Sequence, residues 1–453
     1  MQKNFFSFVL MLLFASASGQ EHTIEGIIEN YNNNQIYIAN FYGDQDRIID
    51  SLQTDEQGYF KFSMPENAAT GKYRVIMKNN KYFDLVYNDE NIRILTKSDS
   101  PIEHMDVLNS EENQLFYDYI KRQSLTQYKL ELLQPVVTYY PGNTDFYAEA
   151  EDEFMAVQEN MQQFIDSVEQ AMPGSYALKI MKSEQEPLRD PELSAFEQKI
   201  YMQQHFFDHV DFSDTSLMRS DVFSTKLIGY LGLYQNSNFT KDQLENAFIR
   251  AVDTILLKTR VNRDVYEFAI EYLIGGFNQY NFNKVLDYIA ENSEFDESCD
   301  YEEEKSELEK RIETMKKLAI GKTAPDFTAA TTSGDQVTLS ELDDDYVLLV
   351  FWASWCPHCT KQLPELEKFY HDNPYDLEVI SVSNDSSRSE YEAFIETGDY
   401  DWINICDFTG WNNEVAELYG IHATPTLILL NEDREIIAKP DNTRSLESIL
   451  MNR

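Results

Sequence analysis

The chain has 453 residues, which at roughly 150 residues per domain allows about three domains. It is 42% hydrophobic, with 28 Tyr and 28 Phe, so there is enough apolar material for packed cores and bulk disorder is excluded. Against 79 Asp and Glu stand only 37 Lys and Arg, a net charge of -42. Such a surface repels phosphate backbones and anionic lipid, so nucleic acid is not an expected partner.

In chain order, Lys3 is followed by an apolar run from Phe5 to Phe14 and then by Ala15, Ser16, Ala17, Ser18 and Gly19. A positive start, a short apolar core and a small-residue exit predict a secretory signal over residues 1–19. The run is too short to span a bilayer, and no later stretch is longer. The mature chain is therefore expected outside the cytoplasm, in the periplasm or an equivalent compartment, soluble and with no integral membrane segment.

Residues 20–103 form a β-rich N-terminal domain by pattern. Short β-branched and aromatic runs at Thr23–Ile28, Gln35–Phe41, Tyr59–Ser63, Lys72–Met77 and Asn91–Thr96 alternate with Gly, Asn and Asp turns. Asp55-Glu56-Gln57-Gly58 has the composition of a hairpin turn, and the whole predicts an all-β, sandwich-like fold.

Residues 104–318 change to a helical pattern. In Tyr147–Met172, Phe154, Val157, Met161, Phe164, Ile165 and Val168 recur at three- and four-residue spacing and predict one apolar helix face. Further helices are expected at Pro191–His209, Lys241–Leu257, Val265–Ile274, Asn283–Asn292 and Tyr301–Leu318. No fixed-period repeat stands out.

From residue 319 to 453 strands and helices alternate: a strand at Tyr346–Trp352, a helix from Pro357, a strand at Leu377–Val382, a helix near Ser389–Glu396, then Trp402–Cys406, Asn412–Tyr419, Thr426–Leu430, Glu435–Lys439 and a last helix. This order predicts a mixed sheet covered by helices. The acidity is uneven: net -5 over 20–100, -21 over 101–318 and -17 over 319–453.

The chain has four cysteines, Cys299, Cys356, Cys359 and Cys406. Two form Cys356-Pro357-His358-Cys359, directly after an apolar strand. At a strand-to-helix junction the first sulfur meets the unpaired amides and dipole of a helix N-terminus, which favour a thiolate. The second lies one turn inward, close enough to form a disulfide, so the pair can cycle between dithiol and disulfide. Half a zinc site would need a second Cys-x-x-Cys or His pair suitably placed, which the sequence lacks. A purely structural disulfide across so short a loop gains little chain entropy.

Residues 320–453 resemble the thioredoxin superfamily, specifically the TlpA/ResA-like extracytoplasmic thiol–disulfide oxidoreductases. The resemblance lies in Ile320-Gly321-Lys322-Thr323-Ala324-Pro325-Asp326-Phe327, in Phe351-Trp352-Ala353-Ser354-Trp355-Cys356, in Pro364, and in Thr424-Pro425-Thr426. The β-rich start and helical middle are more loosely similar to multidomain Bacteroidetes members. The resemblance implies an α/β thioredoxin-like C-terminal domain. It implies Cys356 as attacking thiolate and Cys359 as resolving thiol, a redox-active Cys356–Cys359 disulfide, and support from Trp355, Pro357, His358 and the cis-proline turn at Thr424 and Pro425. It implies no cofactor and no metal. The partners it implies are protein thiols and disulfides and a membrane-bound electron-donor or acceptor protein.

His358 is placed to favour the Cys356 thiolate, though capping the helix is an equally available role. Two positions depart from the family. Val350 stands where thioredoxin carries a buried carboxylate, and Gln362 where related proteins carry a glutamate. Water or Glu365 is left as proton acceptor for Cys359.

Cys299 sits among carboxylates, which disfavour a thiolate there. A Cys299–Cys406 bridge and two ordinary thiols both remain open, the second preferred. His205 and His209, four apart, have metal-binding spacing, but Phe206, Phe207, Val210 and Phe212 around them point to core packing. Trp352, Trp355, Trp402 and Trp411 all lie in the last segment.

The expected function is extracytoplasmic thiol–disulfide exchange with proteins, with reduction slightly favoured over oxidation or isomerisation. The alternative is a client-binding scaffold in which the redox domain is accessory. A peroxidase fits less well, because its threonine-and-cysteine pattern is absent. An acidic redox face is expected to favour basic or neutral clients.

Overall fold

A computed structural model of the chain describes residues 22–295 and 306–452. The expected signal, Cys299 and the start of the Tyr301–Leu318 helix lie outside these residues. The chain divides into two compact units, one ending at Leu233 and the other beginning at Tyr234.

In the first unit, β1 (Thr23–Glu29), β2 (Gln35–Tyr42), β3 (Gln45–Gln53), β4 (Tyr59–Ser63), β5 (Gly71–Ile76), β6 (Tyr82–Tyr87), β7 (Ile92–Lys97) and β8 (Asp106–Asn109) form two four-stranded sheets. Their orders are β4-β1-β7-β8 and β3-β2-β5-β6. Period-two burial is clearest in β4, where Phe60 and Phe62 are buried and Tyr59, Lys61 and Ser63 are exposed. The Asp55–Gly58 turn forms: the Gly58 amide donates to the Asp55 carbonyl (3.1 Å), and Gly58 takes a φ of +81°. It is not a hairpin, however. The strands it joins, β3 and β4, belong to different sheets, so the turn carries the chain from one sheet to the other.

Five helices complete this unit: α1 (Glu111–Tyr139), α2 (Asp145–Ala171), α3 (Tyr176–Glu184), α4 (Ala195–His205) and α5 (Val222–Gly232). In α2 the predicted face buries Phe154, Val157, Ile165 and Val168, and the Thr144 side chain caps it by accepting from the Tyr147 amide. Buried charge ties helices to sheet. Lys72 of β5 donates to Asp221 (2.8 Å), at the start of α5, and lies 3.2 Å from Asp84 of β6. The Glu112 carboxylate of α1 accepts from Ser175 Oγ (2.8 Å) and from the Tyr176 (3.0 Å) and Ala177 (2.8 Å) amides, so it caps α3.

The second unit begins with α6 (Lys241–Thr259), α7 (Arg263–Gln279), α8 (Asn283–Asn292) and α9 (Glu307–Lys317). Helix α7 runs five residues past the expected end, through Gly275 and Gly276, because packing of Leu273, Ile274 and Phe277 outweighs glycine's poor propensity. A hairpin of β9 (Thr328–Ala330) and β10 (Gln336–Thr338) follows.

The remainder is β11 (Tyr346–Trp352), α10 (Pro357–Asp372), β12 (Leu377–Ser383), α11 (Arg388–Ile395), β13 (Ile403–Ile405), α12 (Glu414–Leu418), β14 (Thr426–Leu430), β15 (Ile436–Ala438) and α13 (Thr443–Met451). The sheet order is β13-β12-β11-β14-β15. Strand β11 is central, parallel to β12 and antiparallel to β14. Its alternate residues serve two cores. Leu348, Val350 and Trp352 pack with Leu363, Leu366, Leu446 and Leu450 on one face. Val347, Leu349 and Phe351 pack with Leu318, Val415 and Tyr419 on the other. This is the helix-covered mixed sheet that the alternating pattern predicts. Among the described residues no helix is long and apolar enough to cross a membrane.

Candidate active site

Strand β11 delivers the chain at Trp352 to a loop, Ala353–Trp355, and Cys356 then becomes the N-cap of α10. Pro357 takes the first helical position, where a missing amide hydrogen costs nothing and its fixed φ suits the helix. Cys356 and Cys359 are joined as a disulfide, with their Cα atoms 5.3 Å apart. Cys356 Sγ also accepts from the Cys359 amide (3.3 Å). The two sulfurs are not equivalent: Cys356 retains 4% exposure and Cys359 none. A nucleophile arriving from solvent therefore meets Cys356 first.

Helix α10 continues through Pro364 to Asp372. Facing the disulfide is the loop before β14, in which the Thr424–Pro425 peptide is cis. The Thr424 carbonyl oxygen lies 3.4 Å from Cys356 Sγ. Trp355 and Trp411, both about half-exposed, meet with ring centroids 6.0 Å apart. His358 is exposed on the first turn of α10. Cys356, Cys359, Trp355, Pro357, Thr424 and Pro425 are thus gathered at one end of the sheet.

The two departures hold in three dimensions. Val350 is buried in the apolar core beneath the helix, so no carboxylate enters there. The Gln362 amide nitrogen is buried without a hydrogen-bond partner among the described residues. Glu365 is exposed.

Sequence reasoning missed Asp385. It follows β12, which pairs Ser383 beside Trp352, and it is fully buried. Its carboxylate accepts from the Ser354 amide (2.9 Å), from Ser354 Oγ (2.6 Å) and from Ser383 Oγ (2.6 Å). The loop that presents Cys356 is therefore clamped by an acid from the neighbouring strand. The available signal was the polar run Ser383-Asn384-Asp385 at the carboxyl end of an apolar strand, where sites of parallel sheets gather.

Cys406 is buried and has no disulfide partner among the described residues, and burial pushes its thiol up from the usual range. Its Sγ lies 4.0 Å from the Asp385 carbonyl oxygen. The choice between a Cys299–Cys406 bridge and the preferred pair of ordinary thiols turns on Cys299, which falls outside the described residues. His205 and His209 do not share a helix, since α4 ends at His205, which instead bonds Asp208 (2.7 Å) and packs on Tyr201. Phe206, Phe207 and Phe212 are core residues. Among the described residues no cluster of three or more His, Cys, Asp or Glu is placed to hold a metal.

Two stretches of the chain match known protein families. Residues 320–439 match the AhpC/TSA family, and residues 22–116 match a domain of unknown function, DUF4369. The thioredoxin-like protein YneN of Bacillus subtilis is 33% identical over 115 residues, 25% of this chain and 65% of its own length. The thiol-disulfide oxidoreductase ResA of Halalkalibacterium halodurans is 31% identical over 118 residues, 26% of this chain and 65% of its own. Tryparedoxin of Trypanosoma brucei brucei is 31% identical over 132 residues, 28% of this chain and 90% of its own. The chain thus spans about 65% of the length of the two bacterial relatives.

Proposed function

Because this chain belongs to the thioredoxin superfamily as a TlpA/ResA-like member, we propose that it is a thiol–disulfide oxidoreductase acting on proteins outside the cytoplasm through Cys356-Pro357-His358-Cys359. The observation that carries the reading is the pair itself: a disulfide at the N-terminus of α10, beside the Thr424 carbonyl, with only Cys356 reachable from outside.

In the reducing direction the Cys356 thiolate attacks one sulfur of a client disulfide. A mixed disulfide forms and the first client sulfur leaves as thiolate. Cys359, losing its proton to solvent, attacks Cys356 Sγ and releases the second client sulfur. Two electrons pass to the client and the protein is left as the disulfide, which a membrane-bound donor re-reduces. In the oxidising direction each step reverses and the membrane partner is an acceptor. The helix N-terminus stabilises the Cys356 thiolate in either direction. Trp355, His358, Thr424 and Pro425 are the supporting residues. Reduction is slightly favoured on the family framework, although Pro357-His358 leans towards oxidation.

The export reading rests on the pattern of residues 1–19. Division into 20–103, 104–318 and 319–453 is proposed by element type, and the alternate burial in β4 of one four-stranded sheet and at the start of β2 in the other supports a sandwich there. The first unit, to Leu233, carries no cysteine, which supports a second reading of it as a client-binding module. Binding of a reduced unfolded client that survives replacement of both Cys356 and Cys359 by Ser supports that role.

The test is insulin-disulfide reduction by the wild type and by Cys356→Ser, with the reduction potential. Activity lost in the variant is expected. A potential near roughly -270 mV supports a reductase, and one near -120 mV an oxidant. A wild type that neither reduces nor oxidises any test disulfide contradicts the proposal.

A further inference from the structure

Beside the cis-proline loop, wholly within the second unit, lies a cavity of about 770 Å³. Its lining includes His422, Pro425 and Thr426 of that loop and Arg311 and Met315 of α9. Thr424, the loop residue next to Pro425, has its carbonyl 3.4 Å from Cys356 Sγ. A polypeptide lying along the loop to reach Cys356 therefore has this cavity as its continuation.

The lysines of the lining are paired, whereas its Glu417 is exposed to solvent and one Asp441 oxygen is buried without a partner among the described residues. Lys439 donates to Asp287 (2.7 Å), Lys310 lies 3.3 Å from Glu307, and Asp441 pairs with Lys241 (2.5 Å). Arg311 differs. It is half-buried, and among the described residues it makes no hydrogen bond or ion pair; exposed Glu271 acts on it only through space. Burial lowers Arg311 from the usual guanidinium range, and burial together with Arg311 lowers His422. A desolvated guanidinium without a carboxylate is costly. Among the described residues no carboxylate bonds Arg311, so its donors are open to an anionic ligand.

We propose that this cavity is a client subsite in which Arg311 seats an acidic side chain, Asp or Glu, of the segment flanking the client cysteine. The inference rests on the exchange reading above. It reverses, at short range, the preference for basic clients expected from the net -17 of residues 319–453. Long-range repulsion acts on the rate of encounter and is screened by salt. A charge-assisted bond in the cavity acts on residence.

The test uses peptides with one cysteine and with Glu, Gln or Lys placed in turn at each of the four positions on either side. Binding is measured by fluorescence anisotropy on the full chain carrying Cys356→Ser and Cys359→Ser, and exchange on the chain with both cysteines. Glu in at least one position is expected to bind roughly tenfold tighter than Gln there. Arg311→Gln should remove that preference while leaving the Gln peptides unchanged, and Arg311→Lys, a check on folding, should keep part of it. Equal binding of Glu and Gln peptides at every position overturns the subsite, as does a preference that survives Arg311→Gln. A preference in binding with no exchange by the intact chain overturns the client assignment and counts against the exchange reading. Exchange without preference overturns the subsite alone.

Discussion

The two units bury polar groups for different ends. In the first, Lys72 meets Asp84 and Asp221, and Glu112 caps α3, so these inward charges are matched and tie helices to sheet, while Lys226 is left with a carbonyl. In the second, the cysteines lie on an apolar floor of Val350 and Leu363, and the buried acid nearest the motif in sequence, Asp385, is spent on shaping the loop. Matched burial favours one rigid arrangement. The site keeps its sulfurs without a fixed carboxylate to hold a proton, so its protons must come and go through solvent or exposed groups. The comparison teaches where each unit is vulnerable: the first to loss of a partner, the second to loss of loop geometry.

The largest expected effect breaks the first side. Burial alone would lower Lys72, but Asp84 and Asp221 outweigh it and hold its ammonium above the usual lysine range. Lys72→Ala should cost about 3 kcal/mol of stability, because Asp221 loses its ion-pair partner and Asp84 is left with Arg74 alone. Denaturant titration measures this, and insulin reduction should be unchanged. A parallel loss of exchange would show that the two sides are not separable.

The next effect concerns sulfur reactivity. In the reduced protein Cys406, buried and raised, should alkylate with iodoacetamide roughly a hundredfold more slowly than Cys356 at pH 7. Peptide mass mapping over time reads both rates. Comparable rates would remove the distinction between an inert core thiol and a presented one.

Asp385→Asn keeps size but weakens acceptance from Ser354. Exchange should fall about tenfold, with a smaller loss of stability. An unchanged rate would make the clamp purely structural.

The smallest effect sharpens the first side, where among the described residues Lys226 donates only to the Gln185 carbonyl (2.7 Å) and burial lowers it to about 8 from the ordinary 10.5. The folded state releases this proton before the unfolded state does, so stability rises with pH between about 8 and 10.5. Relative to Lys226→Met, the wild type should gain on the order of 1 kcal/mol across that window. Thermal melts at several pH values check this, and a flat difference would contradict it.

What the sequence made legible follows the strength of each pattern. Tyr346–Trp352 is apolar throughout because both its faces are covered, and it was located to the residue. Cys356 and Cys359 announce themselves by spacing. Strand β3 escaped because all of its residues but Leu52 are exposed, so no alternation marks it. Helix α1 escaped because Pro135 interrupts it and most of its buried residues crowd between Glu112 and Tyr119. The predicted 104–318 helical stretch reads as one run, yet its first five helices fall in the first unit and its last four in the second. Local periodicity records which face a helix buries, not against which partner. Asp385 and Arg311 were invisible for a related reason: their roles come from chain crossings, across β12 and across α9, that no fixed spacing encodes.

The most direct test of exchange through Cys356 is a trapping measurement. The reduced full-length chain carrying Cys359→Ser is mixed with an oxidised test protein, and its disulfides are mapped by mass. The account predicts a mixed disulfide at Cys356 and none at Cys406. Adducts at Cys406, or none at Cys356 while the wild type exchanges, would contradict it.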